Sequence, residues 1–173
     1  VTPRTGCVPL TTFFTDESGE VPTQSSWDFG NLNVSNETSG TVLETYNTSG
    51  CYDVKLSNVY ANGCKSDTTI TSAVCLYALP EADFGWSPDV IDVDDNQVSF
   101  NDLSSADVVS YEWDFTDNQL PFASDSITTA SPQTSNVINP QVVFDSPNGD
   151  VVNVKLKVTN ANGCVDSIIK PLT

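Results

Sequence analysis

The chain has 173 residues, 38% of them hydrophobic, with six Lys+Arg against 23 Asp+Glu, a net charge of −17 and no histidine. That length suits two domains of roughly 80–90 residues. Such an acidic surface repels phosphate backbones and anionic lipid, so nucleic acid and membrane surfaces are excluded as partners. The sequence has no apolar run of about 18 residues, so no helical membrane insertion is expected, and no basic segment precedes an apolar stretch, so any secretion signal is expected to have been removed already. Thr, Val, Ser, Asn and Asp dominate, which favours strands and turns over helices.

The elements come in two rounds. In the first, Thr11–Thr15 reads as a strand entering the core through Phe14, and Ser26–Phe29 as another with Trp27 and Phe29 on one face. Tyr52, Val54 and Leu56 then alternate with Asp53, Lys55 and Ser57, Asn62-Gly63 supplies a tight turn, and Cys64–Val74 returns. In the second round the strands are Ala82–Trp86, Asp89–Val93, Gln97–Asn101 and Val109–Phe115, followed by a closing hairpin of Val151–Thr159 and Cys164–Ile169 around Asn162-Gly163. The rounds share residues. Trp27-Asp28-Phe29 recurs as Trp113-Asp114-Phe115, Val54-Lys55-Leu56 as Val154-Lys155-Leu156, and Ala61-Asn62-Gly63-Cys64 as Ala161-Asn162-Gly163-Cys164. The front halves are offset by 86 (113 − 27) and the back halves by 100 (154 − 54), so the second copy carries 14 extra residues within 116–150. Repeats of this kind mean tandem modules. The expected fold is all-β: two tandem immunoglobulin-like β-sandwiches, 1–79 and 80–173, the second with an insertion in 116–150.

Cysteines stand at 7, 51, 64, 75 and 164, without a Cys-x-x-Cys motif. Disulfides in an oxidising compartment fit this pattern better than zinc or a redox dithiol. If Asn62-Gly63 is the turn, paired positions sum to about 125, which sets Cys51 nearly opposite Cys75. In a sandwich of this type an early edge strand runs parallel to the last strand. Cys7 begins the former and Cys64 the latter, so the second expected bridge is Cys7–Cys64. Cys164 then lacks a partner in its own domain and is expected as a buried free thiol or as the site of a bond to another chain or module.

The order Trp27-Asp28-Phe29-Gly30, Tyr46, Gly50, Tyr52, Val54, Leu56 and Asn62-Gly63 resembles the PKD (polycystic kidney disease) domain, an immunoglobulin-like sandwich, as does Trp113-Asp114-Phe115, Phe144, Gly149, Val152, Val154, Leu156. Asn31-Leu32 and Thr116 depart from that family's loop after the Trp-Asp-Phe block. Gly6-Cys7-Val8-Pro9-Leu10 and Asn62-Gly63-Cys64 are similar to PKD repeats of large secreted Bacteroidota proteins, including gliding-motility and adhesin-like proteins exported by the type IX system. The resemblance implies extracellular spacers or adhesive modules at the cell surface.

Catalysis has little to stand on. Without histidine there is no Ser-His-Asp triad, and the spacing of the aspartates singles out no catalytic pair, so no catalytic residues are expected. Calcium is the one cofactor considered, because it needs six to eight oxygen ligands gathered in loops. Its candidate ligands are Asp16, Glu17 and Glu20 in the first copy and Asp92, Asp94, Asp95, Asp102 and Asp107 in the second, against the alternative of solvated acidic loops. Sugar binding needs exposed aromatic rings, and only Phe13 and Phe122 read as exposed. Thr68, Ser126 and Ser167 follow aspartates in a pattern resembling the O-glycosylation sequon of Bacteroidota. The expected function is therefore a non-catalytic extracellular spacer of a surface adhesin or filament, with neighbouring repeats or subunits as partners. The alternatives are a module that binds a surface glycan or protein ligand, accessory to a secreted enzyme, and a self-assembling filament subunit.

Overall fold

A computed structural model describes residues 1–38, 40–89, 96–116, 129–145 and 152–172. The chain divides into two compact units, Val1–Ala78 and Leu79–Thr173. All regular elements among the described residues are strands. Of the expected strand Asp89–Val93 all but Asp89 lies outside the described residues, as do 117–128 and 146–150 of the insertion.

The first unit contains β1 (Thr5–Cys7), β2 (Leu10–Thr15), β3 (Gln24–Asp28), β4 (Val34–Ser35), β5 (Thr41–Tyr46), β6 (Gly50–Val59) and β7 (Lys65–Tyr77). They form a five-stranded sheet in the order β1-β7-β6-β3-β4 and a two-stranded sheet, β2-β5. The second unit contains β8 (Phe84–Ser87), β9 (Gln97–Asp102), β10 (Val108–Asp114), β11 (Thr129–Ser131), β12 (Thr134–Ser135), β13 (Gln141–Asp145), β14 (Val152–Asn160) and β15 (Val165–Leu172). Its sheets are β12-β10-β14-β15 and β11-β13-β9-β8. In each unit both sheets contribute side chains to one apolar core, the arrangement of an immunoglobulin-like sandwich.

Period-two alternation places the same three rings at the centre of each core. Phe14, Trp27 and Phe29 fill the first, with the Trp27 and Phe29 planes 5° apart and their centroids 6.4 Å apart. Phe100, Trp113 and Phe115 fill the second, where Trp113 and Phe115 lie 10° and 5.9 Å apart. Tyr46 anchors the first core from the opposite sheet, donating its hydroxyl to the Phe29 carbonyl at 3.1 Å. Burial, and then Glu44 and Tyr52, hold its phenol far above the ordinary value. This bond fixes the chain where it leaves β3.

The β6–β7 hairpin departs from a two-residue turn. Its loop has five residues: the Tyr60 N–H donates to the Cys64 carbonyl, the Gly63 N–H to the Tyr60 carbonyl, and Gly63 takes φ +81°. The second unit repeats this loop with Asn160, Gly163 and Cys164. Paired residue numbers therefore sum to 124 from Val59–Lys65 to Val54–Ile70, then to 126 from Tyr52–Val74 to Gly50–Leu76. The shift is a bulge in β7, where Thr71, Ser72 and Ala73 stand opposite the single residue Asp53. Its carboxylate accepts the Ser72 N–H at 2.7 Å, and Ser72 adopts φ +47°. Gly30, at φ +75°, rests on the same place, where an added Cβ would lie 2.4 Å from the Asp53 carbonyl oxygen.

Two glycine substitutions separate conformation from contact. Gly63→Ala meets no atom within 4 Å and is expected to cost only the left-handed penalty of about 1–2 kcal/mol. Gly30→Ala carries the same penalty plus a backbone collision, so urea unfolding of the first unit should show a clearly larger loss. Equal losses would refute the close packing of Gly30 on Asp53.

Candidate functional site

The cysteines give the sharpest local geometry. Cys51 and Cys75 face each other across β6 and β7 and are joined, with S–S 2.03 Å and Cα–Cα 4.0 Å. The expected Cys7–Cys64 bridge is not formed. β1 does run parallel to β7, but Cys7 pairs with Tyr77 at the far end of that strand. Cys64 lies 13 positions earlier (77 − 64), about 40 Å away at the rise of an extended strand, against a disulfide limit of about 7 Å. Cys64 is instead an exposed free thiol in the hairpin loop. Cys7 and Cys164 are each disulfide-bonded, so Cys164 is not the free thiol expected for it, although it is buried at 1% exposure.

The acidic candidates are spread through loops that they help to shape. Asp16 accepts the Ser18 N–H (2.9 Å) and hydroxyl (2.6 Å) on Oδ1 and the Asn58 amide (2.9 Å) on Oδ2. Burial is the largest single influence on its pKa and raises it, but the bonds from Ser18 and Asn58 together outweigh burial and hold it below the ordinary value. Asp107 repeats the device: the Ser105 hydroxyl (2.6 Å) and then the Asn160 amide (3.0 Å) keep its carboxylate below the usual range. Asp102 accepts the Ser104 N–H at 3.0 Å. Burial, then a hydrogen bond to Asp102, raises the Tyr111 phenol. Glu17 and Glu20 are exposed. Asp92, Asp94 and Asp95 lie outside the described residues. Among the described residues no three acidic or cysteine side chains gather as a metal site. The oxygens of Asp16 and Asp107 point at hydrogen-bond donors, and a cation would have to displace them.

Thr68 on β7 and Ser167 on β15 are exposed, while Ser126 lies outside the described residues. Of the aromatic rings considered for sugar stacking, Phe13 is 45% exposed beside its cross-strand partner Leu43 at 58%, and Phe122 lies outside the described residues.

One feature was not anticipated from the sequence. A cleft of about 480 Å³ lies in the first unit, lined by Thr23, Gln24, Ser26, Asn36, Thr38 and Ser57, with Ser25 and Val59. Ser26 and Ser57 are direct cross-strand partners. The lining is neutral and offers hydroxyls and amides that can both donate and accept. Short polar side chains in a Ser/Thr-rich chain carry no sequence signal for such a cleft, because it depends on β3, β6 and the segment after β4 meeting.

No family model matches the chain, and no curated protein does. Among solved structures, an amphioxus IgVJ-C2 molecule is similar over 98% of this chain and 99% of its own, at 10% identity and a TM-score of 0.37. Murine CEACAM1b is similar over 99% of this chain and 96% of its own, at 11% identity and a TM-score of 0.38. The immunoglobulin-like assignment rests on the sheets and cores themselves.

Two measurements probe this geometry. A maleimide probe on the native, unreduced chain should label one thiol, Cys64, and Cys64→Ser should abolish labelling; modification of Cys7 or Cys164 would contradict their disulfide-bonded state. Acid should weaken the fold. Because Asp16 and Asp107 have lowered pKa values when folded, the unfolded chain binds more protons, and stability falls as pH drops through the ordinary aspartate value of 3.8 toward the folded values. Asp107→Asn should flatten this decline in melting temperature between about pH 4.5 and 2.5, and an unchanged slope would remove Asp107 from the account.

Proposed function

We propose that this chain is an extracellular, non-catalytic pair of PKD-like repeats that serves as a structural spacer in a cell-surface adhesin or filament, with neighbouring repeats or subunits as its partners. The observation that carries the reading is the duplication. Two sandwiches share one aromatic core and one five-residue hairpin loop, and differ mainly at edges and in one insertion. A chain that repeats a scaffold while its conspicuous carboxylates hold turns gains length and surface from the repetition. The Cys51–Cys75 bond supports an oxidising, extracellular setting, and the charge of −17 keeps adjacent repeats from clumping. Sugars added at Thr68 or Ser167 would sit on exposed strand positions compatible with this role.

The neutral cleft favours a second reading, a ligand-binding module for a hydroxylated surface glycan. One experiment separates the two. In the host, replacing the chain by an unrelated pair of β-sandwiches of similar length should leave surface display and adhesion intact if it is a spacer. If adhesion is lost while display persists, and Ser57→Tyr in the original chain has the same effect, the cleft is the functional element and the spacer reading fails.

A further inference from the structure

We infer that the cleft in the first unit binds an uncharged sugar of a glycan chain, held by Gln24, Ser26, Asn36 and Ser57, and turns acidic sugars away. The inference rests on the ligand-binding reading of this cleft. It concerns binding itself, whether or not adhesion depends on it.

The second unit shows what fills this place elsewhere. Ser26 and Ser57 are direct partners across β3 and β6. Their counterparts are Glu112 and Lys157 (112 − 26 = 86, 157 − 57 = 100), direct partners across β10 and β14. Lys157 Nζ lies 2.8 Å from Glu112 Oε1, so two long side chains join over that part of the sheet. The serines are too short to cover it, and the cleft of about 480 Å³ stands there instead.

The segment beside it differs as well. After β12 the Val137 carbonyl accepts a bond from Trp113 Nε1 at 2.9 Å, which ties that segment to the second core. Trp27 Nε1 is buried without a hydrogen-bond partner among the described residues. In the first unit the matching segment lines the cleft through Asn36 and Thr38. The cleft lies along β3 and β6, while β1 forms the far edge of the same sheet, beyond β7.

The lining selects the ligand. Thr23, Ser25, Ser26, Thr38 and Ser57 supply hydroxyls, and Gln24 and Asn36 supply amides. Each of these groups both donates and accepts. Among the described residues no hydrogen bond engages the side chains of Gln24, Ser26, Asn36 or Thr38. Sugar hydroxyls donate and accept in the same way, whereas an apolar ligand would leave these groups unpaired. Val59 adds one apolar surface for the C–H face of a ring. No lysine or arginine lines the cleft, and the chain carries −17. A carboxylate or sulfate on the sugar therefore meets repulsion without a counter-charge. No carboxylate lines the cleft either, so a protonated amino sugar gains no ion pair there.

The test titrates the full, isotope-labelled chain with neutral trisaccharides of glucose, mannose, galactose and N-acetylglucosamine, and with trigalacturonic acid as the acidic probe. At least one neutral trisaccharide should shift the backbone signals of Ser26, Asn36 and Ser57, with a Kd of about 1 mM or tighter. Trigalacturonic acid should bind at least about tenfold more weakly. Ser26→Glu combined with Ser57→Lys installs the ion pair of the second unit and should abolish the shifts while the melting temperature holds. Asn36→Ala, at an exposed position, should weaken binding about fivefold to tenfold in an unchanged fold. No shift from any of these sugars at about 10 mM would overturn the inference together with the ligand-binding reading. Equal or tighter binding of trigalacturonic acid in the cleft would overturn the inference alone. So would binding that survives both the ion pair and Asn36→Ala, or the same shifts produced by an uncharged Ser-Asn-Thr peptide in place of the sugars.

Discussion

The register of β6 against β7 rests on one carboxylate. Asp53 binds the Ser72 N–H, holds Ser72 at positive φ, and so shifts the pairing sum from 124 to 126. With the sum left at 124, Cys51 would face Ala73, and the disulfide would have no partner at hand. The carbonyl of the same residue is the surface on which Gly30 lies, so the turn after the Trp-Asp-Phe block is seated by the bulge that sets the hairpin. A short polar side chain thus coordinates a covalent bond, a tight turn and the ends of two strands.

The two units show how one core tolerates different surroundings. Stacked Trp and Phe rings recur with nearly the same separation and tilt. Around them, Asn58 stands where Val158 does, and Thr68 where Ile168 packs on the second core. In the second unit Val158 shares its core cluster with Ala82 and Phe84, and Ile168 packs against that cluster. Thr68 is exposed, as a polar residue there should be, whereas Asn58 is buried and its amide is held by Asp16 and Ser18, which offsets the cost of burying it.

How much of this was legible in the residues depended on range. Trp27, Phe29, Tyr52 and Val54 announced their faces, because alternation is a local property that sheet formation preserves. The hairpins were visible through Asn62-Gly63 and Asn162-Gly163, but their loops hold five residues rather than two, since the Tyr60 and Asn160 N–H groups reach across to Cys64 and Cys164. β5 and β13 went unread, lying in Thr-rich and Pro-bounded stretches with weak alternation. The Cys7–Cys64 expectation had the right neighbouring strands and the wrong register: a parallel pair can slide without changing which strands touch, and sequence alone did not say that Cys7 meets the end of β7. The cleft beside Ser26 and Ser57 was invisible for a related reason, as it depends on three segments meeting.

The units differ in what holds them. Among the described residues, nine buried apolar side chains form the core cluster of the first and fourteen that of the second. Closing the 24-residue span between Cys51 and Cys75 restricts the unfolded first unit by about 3.5 kcal/mol in the loop-entropy model, a contribution comparable to burying one or two large apolar side chains. Sulfur chemistry thus stands in for missing hydrocarbon. Durability becomes a property of the medium as much as of the polypeptide: a reductant removes the Cys51–Cys75 restraint from the unit with the smaller core, and it acts as well on the bonds that hold Cys7 and Cys164.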